Sequence, residues 1–189
     1  MHEGIEHVDS WNFNPHKWMG AAFDCSCLWL RETSSLVSAM SIMPEYLRNR
    51  ATDSGQVIDY RDWQIPLGRR FRALKLWFLY RGIGLTGLRT MVREHVRMTA
   101  ELESWITAEP CLELAAPRSH NLLCFRHAAG DDATRTLLHA LNDSGQMSLT
   151  HCELDGRCTI RCCIGQWRTT IDHVRAAWNR IRAAAGECG

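Results

Sequence analysis

The sequence predicts an α/β chain on three observations. Two period-two apolar runs flank a Pro-His-Lys turn at residues 15–17. Two amphipathic stretches fill the middle of the chain. From about residue 110, short strand-like runs alternate with helical ones, as in a small α/β or α+β domain. With 189 residues, 46% hydrophobic and 23% charged, there is material for one domain or one and a half.

Residues 5–13, IEHVDSWNF, alternate loosely and predict a strand ending at the Asn14-Pro15 turn. AAFDCSCLWL follows with Phe23, Cys25, Cys27 and Trp29 on one side at period two, and predicts a second strand, so Lys17 falls at a strand-to-strand junction. From Arg31 to Asp62, polar clusters, Pro44 and Gly55 break every period. A stretch that long in a compact chain is commonly functional or mobile, and it is expected to form a mobile lid.

Helical spacing returns in RRFRALKLWFLYRGIG, whose Phe71, Leu74, Trp77 and Phe78 belong to a broad apolar face interrupted by Gly82 and Gly84. GLRTMVREHVRMTAELESWITAE continues as a second amphipathic helix that stops before Pro110 and suits a connector. Strands are predicted at CLELAA, NLLCFRH, MSLTHCEL and CTIRCCIG, and helices at about 131–143 and 170–185. Asp131 is expected to cap the first of these helices, and Thr169 or Thr170 with Asp172 and His173 to open the last.

Composition disfavours several functions. A net charge of +1 gives no electrostatic case for nucleic acid or an anionic membrane. No run approaches 18 apolar residues, and Met1 is followed by no charged and apolar leader, so a cytoplasmic protein is expected. Nine cysteines, odd in number and irregularly spaced, do not form a secreted disulfide framework. Cys25-Ser26-Cys27 and Cys162-Cys163 lack a second C-x-x-C and zinc-like histidine offsets, so no metal is expected. The run Arg69, Arg70, Arg72 and Lys75 reads as an ion-pairing helix face. Eight scattered tryptophans suggest several packed surfaces, a subunit interface among them.

The chemistry concentrates on NFNPHKWM. Lys17 is either a solvated charge or an amine made nucleophilic by its apolar, hydrogen-bonding surroundings and able to condense with a carbonyl. DSWNFNPHKWM resembles the cofactor-lysine segment of the group II pyridoxal-phosphate-dependent decarboxylases, specifically the aromatic-L-amino-acid decarboxylase family. The resemblance continues in the family's order through FDCS, YLRN, DSGQVIDYRDWQIPLGRRFRALKLWF and GLRTMVREHV, and more faintly through LLCFR and RCCIGQWRTTIDHV.

The resemblance implies the aspartate-aminotransferase-like fold of fold type I. Residues 1–83 would be the C-terminal remainder of the cofactor-binding large domain, with a mobile loop at about 31–62. Residues 84–109 would be a connecting helix and 110–189 a small α/β domain. It implies that Lys17 carries pyridoxal 5'-phosphate, that Asn14 and His16 line the cofactor, Asn14 near its phosphate, and that Tyr46 protonates the substrate's α-carbon from the loop. His16 could instead serve packing alone, and Tyr46 could be an exposed loop residue.

Relatives that make aldehydes carry phenylalanine at the position of Tyr46, so an amine is the expected product. Gly68 and Phe23 are assigned to the substrate pocket. Glycine at 68, unless a turn requires it, leaves room for an aromatic L-amino acid, tryptophan-like ones ahead. The complete enzyme would be a homodimer. The family's pyridine-pairing aspartate lies farther upstream of the lysine than this chain extends, and Asp9 is too near Lys17 to match it. The 189 residues are therefore expected to be a carboxy-terminal portion, catalytically incompetent or nearly so, or a truncated, non-catalytic remnant that at most associates with a relative.

Overall fold

Gly4, at φ +89°, turns the chain into a single 3-10 turn at Ile5–His7, so the first strand starts later than its apolar pattern suggests. A computed structural model gives this fold and describes residues 3–42, 50, 54 and 57–187. Strand β1, Ser10–Phe13, pairs antiparallel with β2, Cys27–Leu30, in the register Trp11↔Trp29 and Phe13↔Cys27. Trp11, Phe13 and Trp29 stand together on the ribbon with ring centroids 5.1–5.4 Å apart, a cross-strand aromatic cluster.

The second strand is shorter than its period-two pattern. Phe23 is 81% exposed and Cys25 only 2%, so the two do not share a face. Backbone groups that a strand ladder would need are spent elsewhere: the carbonyls of Phe23 and Asp24 accept from Lys75, and the peptide of Cys25 engages His16. The segment expected to lack structure opens instead with helix α1, Thr33–Met40, whose N-cap Glu32 accepts from the amide of Ser34 at 3.4 Å and from its hydroxyl at 2.9 Å. A 3-10 turn at Tyr60–Trp63 follows. Tyr46 lies outside the described residues.

Helix α2, Ala73–Thr107, consists of two helical runs that meet at a kink at Gly84, where φ is 73° and ψ 163°, in keeping with the two helices and the glycine interruption that the sequence suggests. Glycine alone adopts that conformation without strain. The chain divides into two compact units, Met1–Gly82 and Ile83–Gly189.

In the second unit, β3 (Leu112–Leu114), β4 (Leu122–His127), β5 (Thr150–Leu154) and β6 (Arg157–Cys163) form an antiparallel sheet in the order β3-β4-β6-β5. Antiparallel pairing makes this unit α+β, one of the two forms that the alternating pattern allowed. Asp155-Gly156 closes the β5–β6 hairpin with both residues at positive φ, 53° and 71°, the two-residue turn whose twist suits paired strands. Helices α3 (Asp131–Asp143) and α4 (Ile171–Glu187) complete it.

Alternation sends Leu123, Phe125 and Ile160 into a core with Leu102 and Ile106 of α2, Leu137 of α3 and Ile181 of α4. On the other face Glu113, opposite Arg126 in register, pairs with Arg126 at 3.0 Å and Arg157 at 2.9 Å. Asp131 does not cap α3. Gly130 is the N-cap residue, and Asp131 accepts from the Cys158 amide at 3.0 Å, tying the helix to β6. His173 accepts from the Thr170 amide at 3.1 Å at the start of α4.

Candidate active site

Lys17 sits on a turn that its neighbours close by hydrogen bonds. The Lys17 amide donates to Asn14 O at 3.0 Å, Gly20 N to Lys17 O at 3.1 Å and Ala21 N to Pro15 O at 3.0 Å, with Pro15 and Ala21 buried beneath. Pro15 presets the turn's φ and has no amide donor to leave unpaired. The Lys17 side chain is exposed, and among the described residues no salt bridge or side-chain hydrogen bond holds its amine. The apolar burial that the sequence suggested for this amine is absent; the turn instead presents it outward.

His16 hangs on the peptide of Cys25. Its amide donates to Cys25 O at 3.3 Å, and ring Nδ1 lies 2.7 Å from the same oxygen and 3.2 Å from the Cys25 amide. The shorter contact assigns the proton to Nδ1, leaving Nε2 as the acceptor end of the ring. Phe23 meets the ring edge-on at 5.0 Å. Asn14 accepts the Ser26 hydroxyl on Oδ1, which leaves the amide's donor end free of side-chain partners among the described residues. Asn14, His16, Lys17 and Phe23 therefore come together around one bend.

Gly68 belongs to a different segment of the first unit. Gln64 Nε2 donates to Pro66 O at 2.8 Å and Gly68 O at 3.4 Å, folding this loop along a cleft of about 850 Å³ lined by Cys27, Tyr60, Gln64, Arg69 and Phe71. A Cβ at Gly68 would meet nothing within 4 Å, and its φ lies outside the left-handed region. The backbone there does not require glycine, which removes the turn as the reason for it.

One group went unread in the sequence. Asp24 lies under Arg70, Arg72 and Lys75, with Arg72 Nε at 3.2 Å and Lys75 Nζ at 3.9 Å. Desolvation is the largest influence on its carboxyl and pushes its pKa up, but a hydrogen bond from its own backbone and the Arg72 and Arg70 guanidiniums outweigh it and hold the carboxyl below the ordinary aspartate range. Composition carries a signal for this cluster. The chain has two lysines, Lys17 and Lys75, against twenty arginines, so both positions using an ammonium lie at this site.

Among the described residues no group of three or more His, Cys, Asp or Glu is placed to hold a metal ion, and no helix is long and apolar enough to cross a membrane.

Residues 1–128 match the family model described as the pyridoxal-dependent decarboxylase conserved domain. The chain is 42% identical to a phenylacetaldehyde synthase of Arabidopsis thaliana, over 97% of this chain and 39% of that protein. It is 40% identical to an aromatic-L-amino-acid decarboxylase of Sus scrofa, over 97% and 38%. The solved structure of Oryza sativa TDC with PLP and tryptamine superposes with a TM-score of 0.92 at 37% identity, over 98% of this chain and 40% of that one. The chain thus spans about two fifths of the length of the relatives it matches.

Proposed function

Since the chain belongs to the pyridoxal-dependent decarboxylase family, whose fold type I architecture it shares over the length it spans, we propose that it supplies the lysine segment and C-terminal region of an enzyme converting an aromatic L-amino acid to its amine and carbon dioxide. The observation that carries this reading is the outward-facing Lys17 amine on a closed turn backed by His16 and Asn14.

Pyridoxal phosphate is the family's cofactor, and the residues present fit two of its ends: an accessible primary amine suits the aldehyde, and the amide donors of Asn14, which have no side-chain partner among the described residues, suit the phosphate. When bound, it supplies an electron sink for the pair left as the substrate's carboxyl group departs. Lys17 Nζ would hold it. His16, its tautomer set by Cys25, would orient it, and Tyr46 Oη would deliver a proton to the substrate's α-carbon. Gly68, where a Cβ would meet nothing within 4 Å, is proposed to leave room for indole-bearing substrates, and Phe23 offers an exposed ring beside His16.

A proton on the pyridine nitrogen needs a carboxylate, and the nearest in sequence are committed: Asp9 to Arg31 at 3.8 Å, Asp24 to Arg70, Arg72 and Lys75. The 189 residues alone are therefore proposed to turn over little substrate. Eight described cysteines carry free thiols, which supports a reducing, cytoplasmic setting, and the complete enzyme is proposed to be a homodimer. Aldehyde formation is the second reading, because the Arabidopsis thaliana relative is a phenylacetaldehyde synthase.

The test joins this chain to the preceding part of the Sus scrofa relative and assays L-tryptophan and L-tyrosine for amine, aldehyde and carbon dioxide. Amine is expected, lost in Lys17→Ala and reduced about 10²- to 10⁴-fold in Tyr46→Phe. Aldehyde from the unmutated protein would establish the second reading, and turnover surviving Lys17→Ala would overturn both. A strong Lys17-dependent visible band, with amine produced by the 189 residues alone, would overturn the proposed incompetence.

A further inference from the structure

We propose that Lys75 is a positioning residue for the Lys17 turn, acting through the peptides of Phe23, Asp24 and Cys25. The inference rests on the reading of Lys17 as the cofactor-holding amine.

Lys75 Nζ donates to Phe23 O at 2.9 Å and Asp24 O at 3.1 Å, with the Asp24 carboxylate 3.9 Å away. Two successive carbonyls and a carboxylate thus converge on one ammonium. Asp24 is also held by Arg72 and Arg70, and the thiol of buried Cys25 donates to Arg72 O at 3.8 Å. The next peptide, Cys25, holds His16 through its carbonyl, which accepts from the His16 amide at 3.3 Å and from ring Nδ1 at 2.7 Å, and the residue after His16 is Lys17. A continuous path of direct contacts therefore runs from the first turn of α2 to the turn that presents the amine.

The choice of lysine is itself informative. Twenty of the chain's twenty-two lysines and arginines are arginine. A planar guanidinium spreads its donors over a rigid fork, whereas an ammonium directs three donors from a single point, which is what two adjacent carbonyls and a carboxylate demand.

With only two lysines, amine labelling reads the device directly. The chain is treated with pyridoxal phosphate and borohydride, and the pyridoxyl label is mapped at Lys17, Lys75 and the N-terminal amine, the last as internal reference. Unmutated chain should label Lys17 ahead of the reference, leave Lys75 largely unlabelled, and show a smaller Lys17 preference with benzaldehyde, which has no phosphate. Lys75→Met, and Lys75→Arg as the variant that keeps the charge, should lower the Lys17-to-reference ratio about fivefold. Circular dichroism and the thermal midpoint of Lys75→Arg should stay unchanged. An unchanged ratio in Lys75→Arg overturns the inference while leaving the reading of Lys17 intact. Unmutated chain that labels Lys17 no faster than the reference, with no preference for pyridoxal phosphate, overturns that reading and the inference with it.

Discussion

Lys17 shows how far residue chemistry alone reaches. Its turn was legible because proline, asparagine and histidine crowd one bend, and the structure closes that bend with backbone hydrogen bonds. Its exposure was not legible: period two across AAFDCSCLWL predicted a strand, and the carbonyls that would have extended it are taken by Lys75, 51 and 52 residues along the chain. Gly68 is the complementary case, a residue whose local geometry makes no demand, so its role is a matter of space. Gly68→Ser should leave stability within about 0.5 kcal/mol by urea titration, since nothing crowds a Cβ there. In the joined enzyme the same substitution should raise the ratio of kcat/KM for L-tyrosine over L-tryptophan by about tenfold.

At the scale of elements, hydrophobic period and turn residues located β4, β6, α3 and α4 well, because each buries one face in a common core. The caps were harder to read. Aspartate at the first position of α3 suggested a local cap, yet its carboxylate reaches across to the Cys158 amide on β6, 27 residues on. That bond makes a sharp prediction: Asp131→Ala removes the acceptor for a partly buried amide and should cost about 1–3 kcal/mol, measured as a lowered urea midpoint at unchanged m. A purely local capping role would give the smaller loss typical of an exposed helix end. Helix α1 was missed because serine and threonine carry weak helical propensity, and its N-cap is a glutamate, outside the usual capping set.

For the whole molecule, apolar burial is unevenly shared. The main core cluster, Met98 to Ala185, lies within the second unit, while the exposed large hydrophobics among the described residues run from Ile5 to Leu85. Limited chymotrypsin digestion should therefore cut first between residues 5 and 85 and leave a protected remainder that contains the β3–β6 sheet, α3 and α4, identified by mass spectrometry. First cuts within the β3–β6 sheet would contradict this distribution of stability. By itself the sequence determined the fold class, the family with its cofactor, and the amphipathic elements of the second unit, because periodicity, turn chemistry and an ordered series of motifs are local properties of the chain. The tertiary structure alone decided that Lys17 faces outward, that Cys25 orients His16, that Asp131 joins helix to sheet, and that Lys75 gathers Phe23 and Asp24. Each of those is a hydrogen bond or ion pair between groups distant in sequence or facing one way out of several, and such pairings exist only once the chain has closed on itself.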